Sequence, residues 1–204
     1  MIESIVRKLV DHQIEIGTLS EDEREIYLYG YQMLMEFCIN IVTSVIIAVI
    51  FSAYMIVIVY TLAYLLLRGY IGGYHAKTSL GCFGLSACML IIAVVVVKGM
   101  IRKDASGWIL LVEIVMCPII FRKVPIPSEN KPISEKERVH FNKRVKQIYV
   151  FEAILELILW QSGQCDAALS VFMVHMILFF MVIADNGMKM IRKIMLILSL
   201  KKLI

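Results

Sequence analysis

The chain has 204 residues, 60% of them hydrophobic, and a formal net charge of +4 at pH 7. Soluble domains are about 45–50% apolar, and the apolar residues here form uncharged blocks near the roughly 20 residues that a membrane-spanning helix needs. The composition excludes an ordinary soluble domain and gives no reason to expect a nucleic-acid partner. It predicts an all-α, polytopic membrane helix bundle in which residues 1–204 form one domain.

Residues 1–30 are predicted to be a cytoplasmic amphipathic segment. Apolar side chains recur at helical spacing in its first part, which is typical of a helix lying on a membrane surface. Ser20 precedes three acidic residues and is predicted to cap the start of the next helix.

The stretch from Phe37 to Leu67 contains no charged residue. One helix over this stretch would extend roughly 46 Å, which exceeds the hydrocarbon core of about 30 Å. The sequence therefore favours two helices, at about 30–49 and 54–67, with a tight turn near Phe51 to Tyr54. A single tilted helix is the alternative, and it would move everything downstream to the other side of the membrane.

Further spans are predicted at about 81–97, 107–121, 148–160 and 167–184, which brings the total to about six. The transmembrane bundle then covers 30–187, and the basic tail at 188–204 is predicted to be an amphipathic helix on the cytoplasmic surface. Between the fourth and fifth spans lies a loop punctuated by prolines, which cannot stay helical. Ser134 with Glu137 forms a capping-box pattern that starts the next helix.

The basic residues test this topology. With six spans, all but three of the 21 Lys and Arg residues fall on the side of the termini, the exceptions being Lys98, Arg102 and Lys103. Because loops rich in Lys and Arg usually lie on the cytoplasmic side of a membrane, the termini and the loop after residue 67 are predicted to be cytoplasmic. One helix over 37–67 would split the basic segments between the two faces.

The stretch from Arg68 to Cys82 places polar side chains and four glycines between two apolar spans. Polar groups and irregular backbone at membrane depth usually line a cavity or carry function. The hypothesis is that His75 and Cys82 are a base and a nucleophile at the membrane edge. On an uninterrupted helix they would lie about 10 Å apart along the axis, so the chain must bend between them.

Cys82 falls at the predicted start of the third span. A helix N-terminus lowers the pKa of a thiol and offers N–H donors to an oxyanion. The competing interpretation is that the pair is structural. His175, in the middle of a span, is the main rival for the base, and the candidates for a residue that orients His75 are Glu36, Glu113, Asp185 and Asn186.

The five cysteines are scattered and none forms a CxxC pair. This is poor material for a disulfide framework or a zinc site. Neither a metal ion nor a cofactor is predicted.

The spacing Arg68-x4-Gly73-x-His75-x6-Cys82 resembles the signature of the accessory gene regulator protein B (AgrB) family, membrane cysteine endopeptidases of Gram-positive quorum sensing. The resemblance extends to the chain length, the hydrophobic bundle and the proline loop from Pro125 to Ile133.

The resemblance implies a bacterial cell-membrane enzyme that cleaves an AgrD-like precursor peptide near its C-terminus. Cys82 would be the nucleophile and His75 the general base, while Arg68, Gly73 and Ser79 would shape the site. The thioester would then be captured by a cysteine or serine of the precursor, giving a cyclic thiolactone or lactone.

The precursors of that family have an acidic C-terminal tail, for which Lys77 and Lys131 are the candidate binding residues. The lipid bilayer is the other expected partner, and so small a bundle is compatible with a homodimer. The alternative function is a membrane exporter of the signalling peptide without proteolysis.

Overall fold

The computed structural model describes the backbone of residues 2–71, 79–102, 108–126 and 134–201. Within these ranges it describes the side chains except those of Ile2, Ser79, Leu80, Cys82, Arg102, Leu110, Asn186 and residues 188–201. The described residues are almost all helical, and a 3-10 turn at Glu21–Glu23 leads into the second helix. The helices are α1 (Ile2–Glu15), α2 (Arg24–Ile50), α3 (Tyr54–Ile71), α4 (Ser79–Arg102), α5 (Ile109–Lys123), α6 (Glu135–Gln161) and α7 (Cys165–Lys201).

The uncharged stretch divides into two helices, as predicted. α2 ends at Ile50 and α3 begins at Tyr54, and Ser52 between them has a positive φ of 46°. The ammonium of Lys98 on α4 donates to the carbonyl oxygen of Phe51, at the C-terminus of α2 where carbonyl groups lack helical partners. The turn is therefore held by a neighbouring helix as well as by its own backbone.

The two predicted helix starts are also confirmed. The backbone N–H of Ser134 donates to Glu137 Oε2 at 2.9 Å, and the N–H of Glu137 donates to Ser134 Oγ at 3.3 Å. At Ser20 the backbone N–H donates to Glu23 Oε2 at 3.3 Å. The capping residue at 20 begins the 3-10 turn, which then continues into α2.

Among the described residues, four stretches are long and apolar enough to cross a membrane, namely Glu21–Ile50, Tyr54–Ile71, Phe83–Ile101 and Cys165–Asp185. α5 has only 15 residues and contains Glu113, and α6 carries charges along its length, including Glu152 and Glu156. Of the six predicted spans, the two that fall short are thus the ones whose helices bring Glu113, Glu152 and Glu156 into the bundle. The chain is a polytopic membrane helix bundle, and its six-span count remains a prediction.

α7 lies at the centre of the bundle and packs against α3, α4, α5 and α6. In an 18-residue apolar window of its span 67% of the residues are buried, compared with 11–33% in the corresponding windows of the other three spans. The outward faces of α2, α3 and α4 are lined with exposed apolar side chains, as lipid-facing surfaces are. The apolar span of α7 ends at Asp185, near its predicted end, and the C-terminal residues are helical as predicted. Neither Asn nor Gly stops the helix, and α7 continues to Lys201.

The N-terminal segment is helical and packs against α2. Val6 and Val10 of α1 are buried, Arg24 on α2 pairs with Asp11, and Gln13 Nε2 donates to the hydroxyl of Tyr31 at 3.0 Å. This contact between α1 and α2 uses one face of the amphipathic helix.

Candidate functional site

The sequence-predicted reaction centre lies where α3 ends and α4 begins. α4 starts at Ser79, so Cys82 lies in its first turn, close to the predicted start of that span. The general base His75, together with Gly73 and Lys77, lies outside the described residues, and so does Lys131. The proposed pairing of His75 with Cys82 therefore remains a prediction.

The end of α3 is anchored firmly. Leu67 and Ile71 are fully buried. The rings of Tyr70 and of Phe141 on α6 pack in a T-shaped arrangement with their centroids 6.0 Å apart. Arg68 is half-buried in the same last turn. The glycine-rich stretch therefore begins from a fixed point beside α6.

The segment after α5 joins this point. The backbone N–H of Ile126 donates to the carbonyl oxygen of Ile71 at 2.8 Å, and both Val124 and Ile126 are buried. Asn142 on α6 donates through Nδ2 to the carbonyl oxygen of Val124 at 2.7 Å. The proline loop predicted from residue 125 thus starts directly beside the predicted catalytic stretch.

A second polar site lies inside the bundle, and sequence reasoning did not assemble it. Five polar side chains from three helices meet there; we call them the α5–α7 cluster. Its members are Glu113 on α5, Tyr149, Glu152 and Glu156 on α6, and His175 on α7.

The imidazole of His175 is the centre of the α5–α7 cluster. It is fully buried; Nδ1 contacts Glu113 Oε1, and Nε2 lies 3.1 Å from Glu152 Oε2. The hydroxyl of Tyr149 donates to Glu113 Oε2 at 2.7 Å, and its ring stacks on the imidazole with centroids 4.0 Å apart. Glu156 Oε2 lies 3.9 Å from Nδ1.

These contacts change the roles considered for two residues. Both nitrogens of His175, the rival base, already face carboxylates, and both oxygens of Glu113, a candidate to orient His75, face Tyr149 and His175.

The other candidates to orient His75 lie outside the cluster. Glu36 Oε1 accepts from Gln32 Nε2 at 3.4 Å, and Asp185 is half-buried at the end of the α7 span. The side chain of Asn186 lies outside the described part.

One sequence signal could have found the cluster. Glu152 and Glu156 are one helical turn apart, and Glu113 and His175 are each isolated polar residues in predicted spans. Because polar groups inside a membrane usually pair with each other, they could have been expected to meet.

Comparisons with known proteins agree on one family. A sequence profile described as accessory gene regulator B matches residues 2–200. "Putative AgrB-like protein 2" of Clostridium perfringens (strain 13 / Type A) is 25% identical over 172 residues, covering 80% of each chain. "Putative AgrB-like protein" of Clostridium perfringens (strain SM101 / Type A) is 29% identical over 172 residues, covering 79% of this chain and 80% of its own. No solved structure matches.

Proposed function

Because the chain belongs to the accessory gene regulator B family, which is implicated in autoinducer processing, we propose that it is a membrane-embedded cysteine endopeptidase. Its substrate is an AgrD-type precursor peptide, cleaved near the C-terminus. Cleavage leaves a thioester that cyclises to a thiolactone or lactone.

The position of Cys82 in the first turn of α4 is the observation that carries the proposal. The first four N–H groups of a helix have no partner within the helix, and the positive end of the helix dipole favours an anion there. Both effects stabilise a thiolate at this position, and the thiolate is the form of cysteine that attacks.

The reaction has two balanced steps. His75 takes the proton from Cys82, Sγ attacks the scissile carbonyl carbon, and the C–N bond breaks as the leaving amine receives that proton. A thiol or hydroxyl of the precursor then attacks the thioester. Sγ of Cys82 leaves and takes up the proton that the attacking group gives to His75.

The contact between the proline segment and α3 supports a substrate site at the same end of the bundle. Ile126 is bonded to Ile71, and Lys131 lies within roughly 17 Å of Ile126 along even a fully extended chain. Lys131 and Lys77 bind the acidic tail of the precursor, while Arg68, Gly73 and Ser79 shape the pocket around the scissile bond.

The orientation follows from charge. The distribution of basic residues supports an orientation in which both termini and the loop containing His75 lie on the cytoplasmic side of a bacterial cell membrane. Cleavage therefore takes place at the inner rim of the bilayer, where the precursor is made.

The test is co-expression with an AgrD-type precursor, followed by mass spectrometry of the peptide products. Cys82→Ala and His75→Ala should abolish both cleavage and cyclic product. Cys88→Ala is the matched control for the thiol, because Cys88 is an exposed residue of the same helix. His140→Ala is the control for the imidazole, because His140 is exposed on α6.

A second arm tests the intermediate. A precursor whose cyclising cysteine or serine is replaced by alanine cannot capture the acyl group, so the thioester should accumulate on Cys82 and be released by neutral hydroxylamine. Continued cleavage in Cys82→Ala would contradict the proposal. Export of intact precursor by wild type and by Cys82→Ala alike would favour the exporter instead.

A further inference from the structure

We propose that Glu113, Glu156 and His175 form an intramembrane site for one divalent first-row transition-metal ion. The site joins α5, α6 and α7. This site shares no residue with the proposed cleavage site at Cys82 and rests on different observations. Either proposal could therefore fail without the other.

The three ligand atoms are close enough for one ion. One carboxylate oxygen from each glutamate and one nitrogen of His175 all lie within 4.8 Å of one another. Bonds of about 2.0–2.2 Å to an ion such as Zn²⁺ place tetrahedral ligand atoms roughly 3.4 Å apart. His175 Nδ1 and Glu156 Oε2 are 3.9 Å apart, so this pair would close by about half an ångström to reach that spacing. Nδ1 and Glu113 Oε1 are in direct contact, so that pair would move apart to admit the ion.

The groups around the ligands orient them as the partners of a metal site do. Nε2 of His175 lies 3.1 Å from Glu152 Oε2. In the tautomer that carries the proton on Nε2, Glu152 accepts this bond and the lone pair of Nδ1 faces Glu113 and Glu156. Tyr149 donates to the outer oxygen of Glu113 and leaves Oε1 facing the imidazole. Metal-bound histidines almost always have such a carboxylate or carbonyl behind them.

One oxygen points independently to a missing partner. Glu156 is 5% exposed, and its Oε2 has no hydrogen-bond partner, although it is directed toward Nδ1 of His175. A buried polar atom left unpaired is costly. A metal ion between Nδ1 and this oxygen would satisfy it.

The charge of the α5–α7 cluster leads to the same conclusion. Three carboxylates surround one imidazole, and His175 is the middle residue of the apolar span Cys165–Asp185. Ionised groups at this depth are expensive unless they are compensated. A divalent cation neutralises two of the carboxylates, with the third held by the imidazole N–H.

The donor set indicates the class of metal. Imidazole suits zinc, iron and nickel, whereas carboxylates also suit manganese. A mixed set with one nitrogen and two oxygens in the core of a helix bundle resembles the carboxylate and histidine sites that bundles build from facing helices. Zn²⁺, Fe²⁺ and Mn²⁺ are the candidates, and Mg²⁺ and Ca²⁺ are disfavoured by the nitrogen ligand.

The test uses the full chain in detergent micelles, purified through a tag without histidines and then treated with a chelator. Co²⁺ is the probe, because its visible absorption reports coordination by protein ligands. We expect one Co²⁺ per chain, displaced by Zn²⁺, and a higher thermal unfolding temperature with either ion. Metal analysis of protein purified without chelator provides a second measurement.

Three variants sharpen the result. Glu156→Gln keeps the side-chain shape and should abolish stoichiometric Co²⁺ binding. Glu152→Gln can still accept from Nε2–H, so it should weaken binding by about tenfold. Glu36→Gln is the control, because Glu36 lies on α2 outside the cluster and its loss should leave binding unchanged.

Circular dichroism and gel filtration establish that each variant is folded. If Glu156→Gln does not fold, the weaker Co²⁺ binding expected of Glu152→Gln still tests the proposal. The proposal is overturned if wild type shows no Co²⁺ absorption, or if Glu156→Gln binds Co²⁺ as wild type does. In the first case shared protons, rather than a metal ion, hold the carboxylates together.

Discussion

The backbone N–H of Ile126 is hydrogen-bonded to the carbonyl oxygen of Ile71 at 2.8 Å. Residues 55 positions apart along the chain are therefore joined at the point where α3 ends. Asn142 holds the same segment from the other side through the carbonyl oxygen of Val124. The two bonds make the proline segment, the last turn of α3 and the first half of α6 into one structural unit.

The first prediction concerns this unit. Asn142→Ala removes the donor to Val124, so we expect a loss of about 1 kcal/mol in the free energy of unfolding. We also expect a several-fold drop in precursor cleavage, because the segment beside the catalytic stretch loses its support. Thermal unfolding and the product assay measure the two effects. Lys143→Ala, an exposed neighbour, should change neither, and full cleavage activity in Asn142→Ala would contradict the prediction.

The second prediction concerns the α5–α7 cluster. Tyr149→Phe keeps the ring stacked on His175 but removes the hydroxyl that donates to Glu113 Oε2. A buried bond between helices in a membrane contributes about 1–2 kcal/mol, and we expect the unfolding temperature in detergent to fall accordingly. Tyr29→Phe, at an exposed position of α2, is the control. An unchanged unfolding temperature in Tyr149→Phe would mean that the hydroxyl does not support the carboxylate.

The third prediction concerns the turn between α2 and α3. Lys98 donates to the carbonyl oxygen of Phe51 and brings a positive charge to the C-terminus of α2, a favourable position worth up to about 1 kcal/mol. Lys98→Met keeps the length of the side chain without the charge or the donor, so we expect lower thermal stability. Lys143→Met removes an exposed charge in the body of α6, away from either end of the helix, and should have little effect. Equal stability of wild type and Lys98→Met would refute this role.

The fourth prediction concerns topology. If α6 crosses the membrane, the turn after Gln161 and the start of α6 at Glu135 lie on opposite sides. In a background with all five native cysteines replaced by alanine, a membrane-impermeant maleimide should label Ser162→Cys in intact cells and Glu135→Cys only after permeabilisation. Labelling of both from the same side would show that α6 does not cross.

Much of the fold was predictable because local signals and membrane thickness agree. The uncharged stretch from Phe37 to Leu67 is too long for one span, and the structure turns at Ser52 within it. Ser134 and Glu137 form the expected capping box. The apolar span of α7 ends at Asp185, near its predicted end. The helix itself continues past Asn186 and Gly187, which are weak stop signals when a helix can continue.

The candidate site was predictable only in part. Cys82 was placed at a helix start from the distance between apolar blocks, and α4 does begin at Ser79. The α5–α7 cluster was not predicted because its members lie on three helices, with Glu113 and His175 separated by 62 positions. Periodicity describes one helix at a time and carries no information on which helices meet.

The central position of α7 has a consequence for biogenesis. The helix that fills the middle of the bundle follows the other described helices along the chain, so those helices enter the lipid before their common partner exists. Until then Glu113, Glu152 and Glu156 lack the imidazole that faces them in the finished protein. Chains that stop before residue 165 would expose these acids to the bilayer, and such incomplete products would be natural targets for membrane quality control.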